Sequence, residues 1–408
     1  MSARAALRNP RFRRLQGARL ATVLAMQMVS VAVGWQVYAA TSRALDLGLV
    51  GLVQFLPVLI LWPFTGAVAD AADRTQVLRR CSLALLLGVG ALLGCTLSGV
   101  LGTGGTPWAV YVVLVGIAAA RAFAGPAGAA LLPRLVSPEE FQPAVALASS
   151  TFQVGTVAGP ALGGVLYAIG GPVAVYGTAL VLLAATLLLQ AGLPPTPGSG
   201  SVRARDLSEL LAGLSYVRSR PVLLGAITLD LFAVLLGGAV ALLPIYARDI
   251  LDVGPQGLGA LRAAPAIGAA CMAAWLAVHP FQRHAGRTLL AAVAVFGLAT
   301  IGFGLSRDVW LSLTLLAVLG MADEVSVVIR QTLVQVHTPD AMRGRVSALN
   351  LLFVGVSNEV GEFESGLAAE WLGAVAAVVT GGIGTLLVVA LAAWRAPALR
   401  DVDRLGED

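Results

Sequence analysis

The sequence predicts an all-α membrane protein: twelve transmembrane helices in two pseudo-symmetric six-helix bundles, with both termini cytoplasmic. Three observations carry this. Of 408 residues, 58% are hydrophobic and 12% charged, against roughly 45–50% and about 25% in soluble domains. Mean hydropathy is +0.85. Apolar runs recur along the chain at about 20 residues each, the length that crosses a ~30 Å hydrocarbon core. Such a composition excludes a disordered chain, a disulfide scaffold and an ordinary soluble enzyme.

The elements follow in order. A basic N-terminal stretch leads into an apolar run that continues to about Tyr38. A signal peptide would stop sooner, so the run reads as an uncleaved first helix. Helical-length runs predict spans at about 15–40, 48–69, 80–101, 108–131, 142–168, 172–193, 221–246, 257–279, 288–305, 309–336, 344–369 and 373–394. An even number of spans puts both ends on one side. With the N-terminus cytoplasmic, the inside loops and tails hold 20 arginines. The outside loops hold three, Arg43, Arg248 and Arg307, and four lie within spans. That asymmetry is the positive-inside pattern. All 27 basic residues are arginine. In a soluble protein a net charge of +5 would suggest a nucleic-acid partner. Here membrane orientation accounts for it, and no nucleic acid is expected. Trp108, Trp310, Trp371 and Trp394 fall where spans meet headgroups. Cys81, Cys95 and Cys271 lie in apolar runs, which gives no disulfide framework and no cysteine metal site.

The stretch 194–220 opens, just after Leu193, on Pro194-Pro-Thr-Pro-Gly-Ser-Gly-Ser, helix-breaking material. Asp206 to Arg218 then reads as a short amphipathic helix, with Leu207, Leu210, Leu211 and Leu214 on one face. The predicted organisation is therefore an N-terminal bundle over 1–193, a cytoplasmic linker over 194–220, and a C-terminal bundle with its tail over 221–408. The halves share sequence features. Gly51-x5-Pro57 and Gly259-x5-Pro265 are 208 residues apart. Leu132, Ser137 and Pro138 match Leu333, Thr338 and Pro339 at 201. Matching segments start from the same side, so the repeat is parallel, an arrangement used by secondary transporters.

Four stretches carry mechanism. After span two comes Gly66-Ala-Val-Ala-Asp70-Ala-Ala-Asp73-Arg74. It resembles the loop motif G-x-x-x-D-(R/K)-x-G-(R/K) of the major facilitator superfamily, with Ala71 in place of a basic residue and Asp73 in place of glycine. Gly66 permits close helix approach, Asp70 suits the positive end of a helix dipole, and Arg74 is placed to pair with it. The resemblance implies a latch on the outward-facing state; an ordinary charged turn would use the same residues. The counterpart, His279 to Arg287, has no acid, so the latch is one-sided. Span five holds Gly155-Thr-Val-Ala-Gly159-Pro160-Ala-Leu-Gly163-Gly164, which resembles the superfamily's antiporter motif and so implies export. Small residues four apart allow backbone-to-backbone packing, and Pro160 removes a hydrogen bond. Generic small-residue packing is the competing reading. Span four carries Arg121-Ala-Phe-Ala-Gly125, resembling a motif linked to proton coupling. An arginine there costs ~2.5–3.5 kcal/mol on insertion scales, so it needs a cavity or a partner; backbone carbonyls would also serve.

Charge within the spans is unevenly placed. Asp230, Arg262, Asp323, Glu324, Arg330, Glu359, Glu362 and Glu364 lie in spans seven, eight, ten and eleven, and Arg19 in span one. Spans three, six, nine and twelve hold none in their apolar cores. The resemblance makes those four peripheral and the other eight cavity-lining. Clustered carboxylates in low dielectric suit a proton-coupling site. The alternative is a static network of Arg330 with glutamates, bracing spans ten and eleven.

The stretch from Asp323 through Arg330, Pro339 and Arg343 to Ser347 resembles the drug:proton antiporter-3 branch of the superfamily. Asn9-Pro-Arg-Phe-Arg-Arg and Leu131-Leu-Pro-Arg-Leu-Val-Ser-Pro-Glu-Glu resemble it too. The branch implies proton-driven export of an amphipathic small molecule, a drug, macrolide or siderophore-like compound. Export would run by rocking of 1–193 against 221–394, in a bacterial cytoplasmic (inner) membrane. The expected partners are that substrate, protons and lipid, with the protein a monomer and the proton gradient its energy source in place of any cofactor. Uptake of a metabolite or lipid flipping on the same fold is the alternative. A membrane enzyme, receptor or scaffold is less favoured. His279, His284 and His337 lie at cytoplasmic ends, and no metal-binding or catalytic pattern converges. The sequence has no phosphate-binding Gly-x4-Gly-Lys-Ser/Thr loop and no lysine, so this chain does not itself use ATP that way.

Overall fold

The computed structural model describes residues 8–100, 107–198, 207–279 and 283–403. Among them all regular structure is helical. In chain order the helices are α1 Pro10–Thr41, α2 Ala44–Ala71, α3 Arg74–Leu97, α4 Trp108–Leu135 and α5 Pro138–Ala191. Then come α6 Leu207–Ser219, α7 Pro221–Leu236, α8 Gly254–Val278 and α9 Ala285–Leu305. The last are α10 Val309–Val336, α11 Asp340–Leu372, α12 Ala374–Arg395 and the short α13 Pro397–Arg400.

Among the described residues, ten helices are long and apolar enough to cross a membrane. One of them, α5, has 54 residues, about 81 Å at 1.5 Å per residue, too long for a single crossing. It breaks at Gly170 (φ −138°, ψ 19°) and Gly171 (φ 62°, ψ −163°). Gly171 occupies a backbone region open essentially to glycine alone, and the break gives two limbs of membrane length. The 33-residue α11 is not among the ten. It carries Asn350, Asn358 and four glutamates, which lower its apolar character.

Span seven differs from the continuous helix expected over 221–246. Helix α7 stops at Leu236, and a 3₁₀ turn, Ala239–Leu242, follows Gly237 and Gly238. A π turn then covers Tyr246–Ile250. The reason is packing. A Cβ on Gly237 would lie 2.5 Å from Phe296, and one on Gly238 would meet Ser365 Oγ and the Gly361 carbonyl. The glycine pair lets α11 approach the backbone, and the helix is interrupted there.

Contact clustering divides the chain into two units. Unit 1 holds Met1–Ser42, Val53–Asp206 and Gly254–Ala263; unit 2 holds Arg43–Leu52, Leu207–Val253 and Ala264–Asp408. In unit 1, Asn9 accepts from the amides of Arg11 and Phe12 to cap α1, and donates to Leu135 O at the end of α4. Phe12, fully buried, fills the cluster of Leu131, Leu132, Leu135 and Ala144 behind it. At the far end of α5, Arg79 donates to the carbonyls of Gln190, Ala191 and Leu193, and Arg14 to Gly192 O. These guanidinium groups satisfy the orphan carbonyls of a helix C-terminus, where positive charge is also favoured by the dipole. At the start of α5, backbone hydrogen bonding first and the Ser137 hydroxyl second hold the Glu139 carboxyl below its usual range.

In unit 2, α6 packs Gly213 against the Arg345 carbonyl and buries Val217, while Tyr216 donates to His337 O at 2.7 Å. Leu211 is 62% exposed. The inward face therefore runs through Gly213, Leu214, Tyr216 and Val217 and leaves out Leu211; the side chains of Leu207 and Leu210 lie outside the described residues.

Two kinds of contact recur in both units. Thr186 Oγ1 donates to Ala18 O at 3.2 Å in unit 1, and Thr385 Oγ1 donates to Ala233 O at 3.2 Å in unit 2. The start of α3 is tied to the segment after α5 by Arg74 N–H to Thr196 O, 3.1 Å. The start of α9 is tied to the segment after α12 by Gly286 N–H to Val402 O, 3.1 Å.

Candidate functional site

Helix α7 carries a single charged residue, Asp230. A carboxylate so placed needs a partner, and α10 supplies it. Arg330 Nη2 lies 3.1 Å from Asp230 Oδ2, with side chains 4% and 7% exposed. Arg330 Nη1 donates to Asn350 Oδ1 of α11 at 2.9 Å. Three helices of unit 2 thus meet on one guanidinium. Asp230, Asp323 and Ser326 also share a cavity with Ala233, Phe296 and Ala322, about 10 Å³ in volume, close to the room one water needs. Asp323, Ser326 and Arg330 fall at i, i+3 and i+7 on α10, one helix face. Ser326 Oγ and Arg330 Nε are buried and have no hydrogen-bond partner among the described residues.

The cluster holds two carboxylates and one guanidinium. One proton bound there makes it neutral, and its loss leaves a net negative charge. In low dielectric that difference is felt strongly. The site can therefore exist in two electrostatic states without any change in its parts.

The other residues singled out from sequence fall elsewhere. Glu324 is half-buried and does not line the cavity. In unit 2, Glu362 packs on the start of α2: a Cβ at Gly51 would lie 2.9 Å from Glu362 Oε2 and 3.4 Å from the Glu359 carbonyl. Gly48 and Gly366 touch in the same contact, and Glu370 accepts from the Leu45 amide at 3.1 Å. The alternative, a network of Arg330 with glutamates of α11, is thus not what forms. Its partners are Asp230 on α7 and Asn350 on α11, because the α11 glutamates near the Gly51 contact lie too far along that helix. Asn350, Ser326, Ser30 and Gln54 were not singled out from sequence. The signal for Asn350 was a lone amide inside the apolar run Leu349-Asn-Leu-Leu.

In unit 1, Arg121 is exposed, with Nη1 3.4 Å from Gln54 Oε1. Arg19 lies over the Phe152 ring at 6.0 Å, and Arg262 donates to Ser30 Oγ. The glycine motif of α5 forms a seam. A Cβ at Gly155 would come within 2.5 Å of Val23, one at Gly159 within 2.5 Å of Gln27, and one at Gly163 within 2.9 Å of the Met28 backbone, all on α1. Gly164 faces α8 instead, 2.6 Å from Pro255 O, and Gly259 lies against Pro160 O in the same contact. The two glycines of the Gly-x5-Pro repeat, Gly51 and Gly259, thus play matching parts.

At the proposed latch, Gly66 is half-buried in α2. The side chain of Asp70 lies outside the described residues. Asp73 caps α3, accepting from Thr75 N–H at 2.9 Å and Gln76 N–H at 3.1 Å. Arg74 is 8% exposed and donates to Pro197 O at 3.3 Å.

Comparison with known proteins places these parts in a family. The transmembrane secretion effector family matches residues 1–406. The chain is 28% identical over 395 residues to the enterobactin exporter EntS of Shigella boydii serotype 18 (strain CDC 3083-94 / BS512), covering 93% of this chain and 90% of that protein. It is equally identical, over the same shares, to the enterobactin exporter EntS of Escherichia coli O1:K1 / APEC. Among solved structures, a bacterial homologue of the human lysosomal transporter Spinster, inward-facing and occupied, superposes with a TM-score of 0.72 at 14% identity, covering 95% of this chain and 97% of that one. The POT family transporter PepTSo gives 0.71 at 13%, over 96% and 98%. At such identities the superpositions speak for the fold alone. The match across nearly its whole length makes this chain a member of the transmembrane secretion effector family of the major facilitator superfamily, a multi-pass membrane transporter and not an enzyme.

Proposed function

We propose that the chain is a proton-coupled exporter of an amphipathic small molecule, working by alternating access. The observation that carries the coupling is the Asp230–Arg330 pair with Asp323 on the same small cavity. Arg330 is already engaged by Asp230 and Asn350. A charged Asp323 would be the second carboxylate facing one cation, and a proton relieves that excess. Asp323 is therefore the coupling carboxylate, Arg330 is its fixed counter-charge, and Asp230 is the like charge already paired with Arg330.

Supporting roles follow from position. Glu324, Glu359, Glu362, Arg121 and Arg262 supply further charge along the substrate path, outside the small Asp230–Asp323 cavity. Gly66, Asp70 and Arg74 form the one-sided latch. The seam of Gly155, Gly159, Pro160, Gly163 and Gly164 is the smooth contact on which helices slide. We read α5 as two spans and add α11, which makes twelve, with both termini cytoplasmic, in a bacterial inner membrane, and the protein a monomer. Relatives named as enterobactin exporters favour a siderophore-like substrate within the drug, macrolide and siderophore range.

The test uses proteoliposomes and a panel of siderophores, macrolides and dyes. The protein should release protons when a transported compound is added. In Asp323→Asn, substrate exchange should persist while pH-driven accumulation falls at least tenfold. Unchanged pH-driven accumulation in that variant would remove Asp323 from the coupling.

A further inference from the structure

At the start of α7 and the end of α12 the surface of unit 2 is hollowed. The hollow, about 440 Å³, is lined by Leu224, Thr228 and Phe232 on one side and Leu391, Ala392 and Arg395 on the other. Its volume falls within the range of small-molecule sites, about 300–1,000 Å³. Two features of the sequence make it. Gly225 lets the tail approach: a Cβ there would be 3.3 Å from Leu399 and 3.4 Å from Ala396. Pro397 then starts α13, which turns the chain away and tucks fully buried Leu399 beneath. Phe232 is 46% and Leu391 52% exposed, so the walls belong to the apolar belt.

The polar groups of the hollow are few. The Thr228 hydroxyl already donates to the carbonyls of Leu224 and Gly225. Arg395 is different. Its contact is the face of Trp394, 5.1 Å away, which leaves its N–H donors without a protein acceptor among the described residues. Arg220, next to the groove-lining Pro221, rests over the Tyr216 ring at 5.6 Å. The nearby acids are engaged: Asp401 with Arg400 at 2.9 Å, and Asp403 with His284 at 2.7 Å. An apolar hollow therefore opens at a guanidinium with no counter-ion among the described residues, beside an interfacial tryptophan.

We propose that this groove is a binding site for a phospholipid with an anionic headgroup. One acyl chain lies along Leu224, Thr228, Phe232 and Leu391, and the phosphate accepts hydrogen bonds from Arg395, with Arg220 adding long-range attraction. Basic pockets between transmembrane helices hold anionic headgroups by this chemistry. The site is separate from the Asp230–Arg330 cluster, and it stands whether or not transport is proton-coupled.

The experiment titrates full-length, delipidated protein in detergent with equal amounts of phosphatidylglycerol and phosphatidylcholine. Native mass spectrometry counts the bound lipid. Wild type should retain phosphatidylglycerol with a preference of about fivefold, what one arginine near an anionic headgroup supplies. Arg395→Gln, an exposed change that leaves the fold alone, should bring the two lipids level. Ala392→Trp fills the groove and should remove the bound lipid of either kind. Equal retention of the two lipids by wild type, or an undiminished preference in Arg395→Gln, would overturn the proposal. A lipid-free dimer that Arg395→Gln dissociates would also overturn it, by giving the groove to a second copy of the chain.

Discussion

Arg330 carries more of the chemistry than any other single side chain in unit 2. It is almost fully buried, with one ion pair and one amide. Burial of that pair is costly, and its members offset the cost only together. Arg330→Met should therefore destabilise by about 3–5 kcal/mol, since Asp230 is left buried and unpaired. The double variant Asp230→Leu, Arg330→Met should recover most of that stability and no transport. Thermal unfolding in detergent, read beside vesicle flux, checks both; recovered flux in the double variant would reduce the cluster to a brace. Residue-level legibility was uneven. Asp230, Asp323 and Arg330 stood out because an ionisable group in an apolar run is expensive. Their partner Asn350 did not, because an amide is cheap enough to pass as ordinary. The loop arginines counted for orientation also have a second use, since Arg14 and Arg79 hold the carbonyl end of α5.

Among the elements, α5 shows most clearly how local sequence and packing divide the work. Its first limb presents glycines to α1, so closely that any side chain there must displace the neighbour. Gly159→Leu should cost about 1–3 kcal/mol through overpacking, with α1 and α5 pushed apart, seen as a lower melting temperature and faster proteolysis. Its two limbs part at Gly171, whose φ of 62° and ψ of −163° suit glycine alone. Gly171→Ala should cost about 1–3 kcal/mol, although open space surrounds the position. A melting temperature equal to wild type would show that the break relaxes freely. The sequence marked the boundary here, with Gly170-Gly171-Pro172 between two apolar runs. It did not mark the break in α7, since Gly237 and Gly238 fall inside the one span expected over 221–246. What interrupts that helix is the approach of α11 and Phe296, a contact more than a hundred residues away in sequence for α11. The same limit explains α6. Of its leucine pattern, Leu214 packs inward with Gly213, Tyr216 and Val217, while Leu211 stays exposed.

For the whole molecule, the distribution of arginine predicts orientation, which labelling can check. After replacement of Cys81, Cys95 and Cys271, a cysteine at Arg248 should react with a membrane-impermeant maleimide on intact cells. One at Arg80 should react only after permeabilisation. The reverse pattern would invert the topology. Composition, span spacing and the arginine count are properties of the chain alone, because a bilayer imposes length and charge rules on each segment separately. So the sequence by itself determined that this is a helical, multi-pass membrane protein, and its motifs pointed to the family. Only the tertiary structure decided which buried charges meet. It put Asp230, Asp323 and Arg330 together, and Glu362 against Gly51. Each of those meetings depends on how far one helix is turned and shifted against another. That is set by the glycines and side-chain volumes of both partners at once, and no single stretch of sequence contains it.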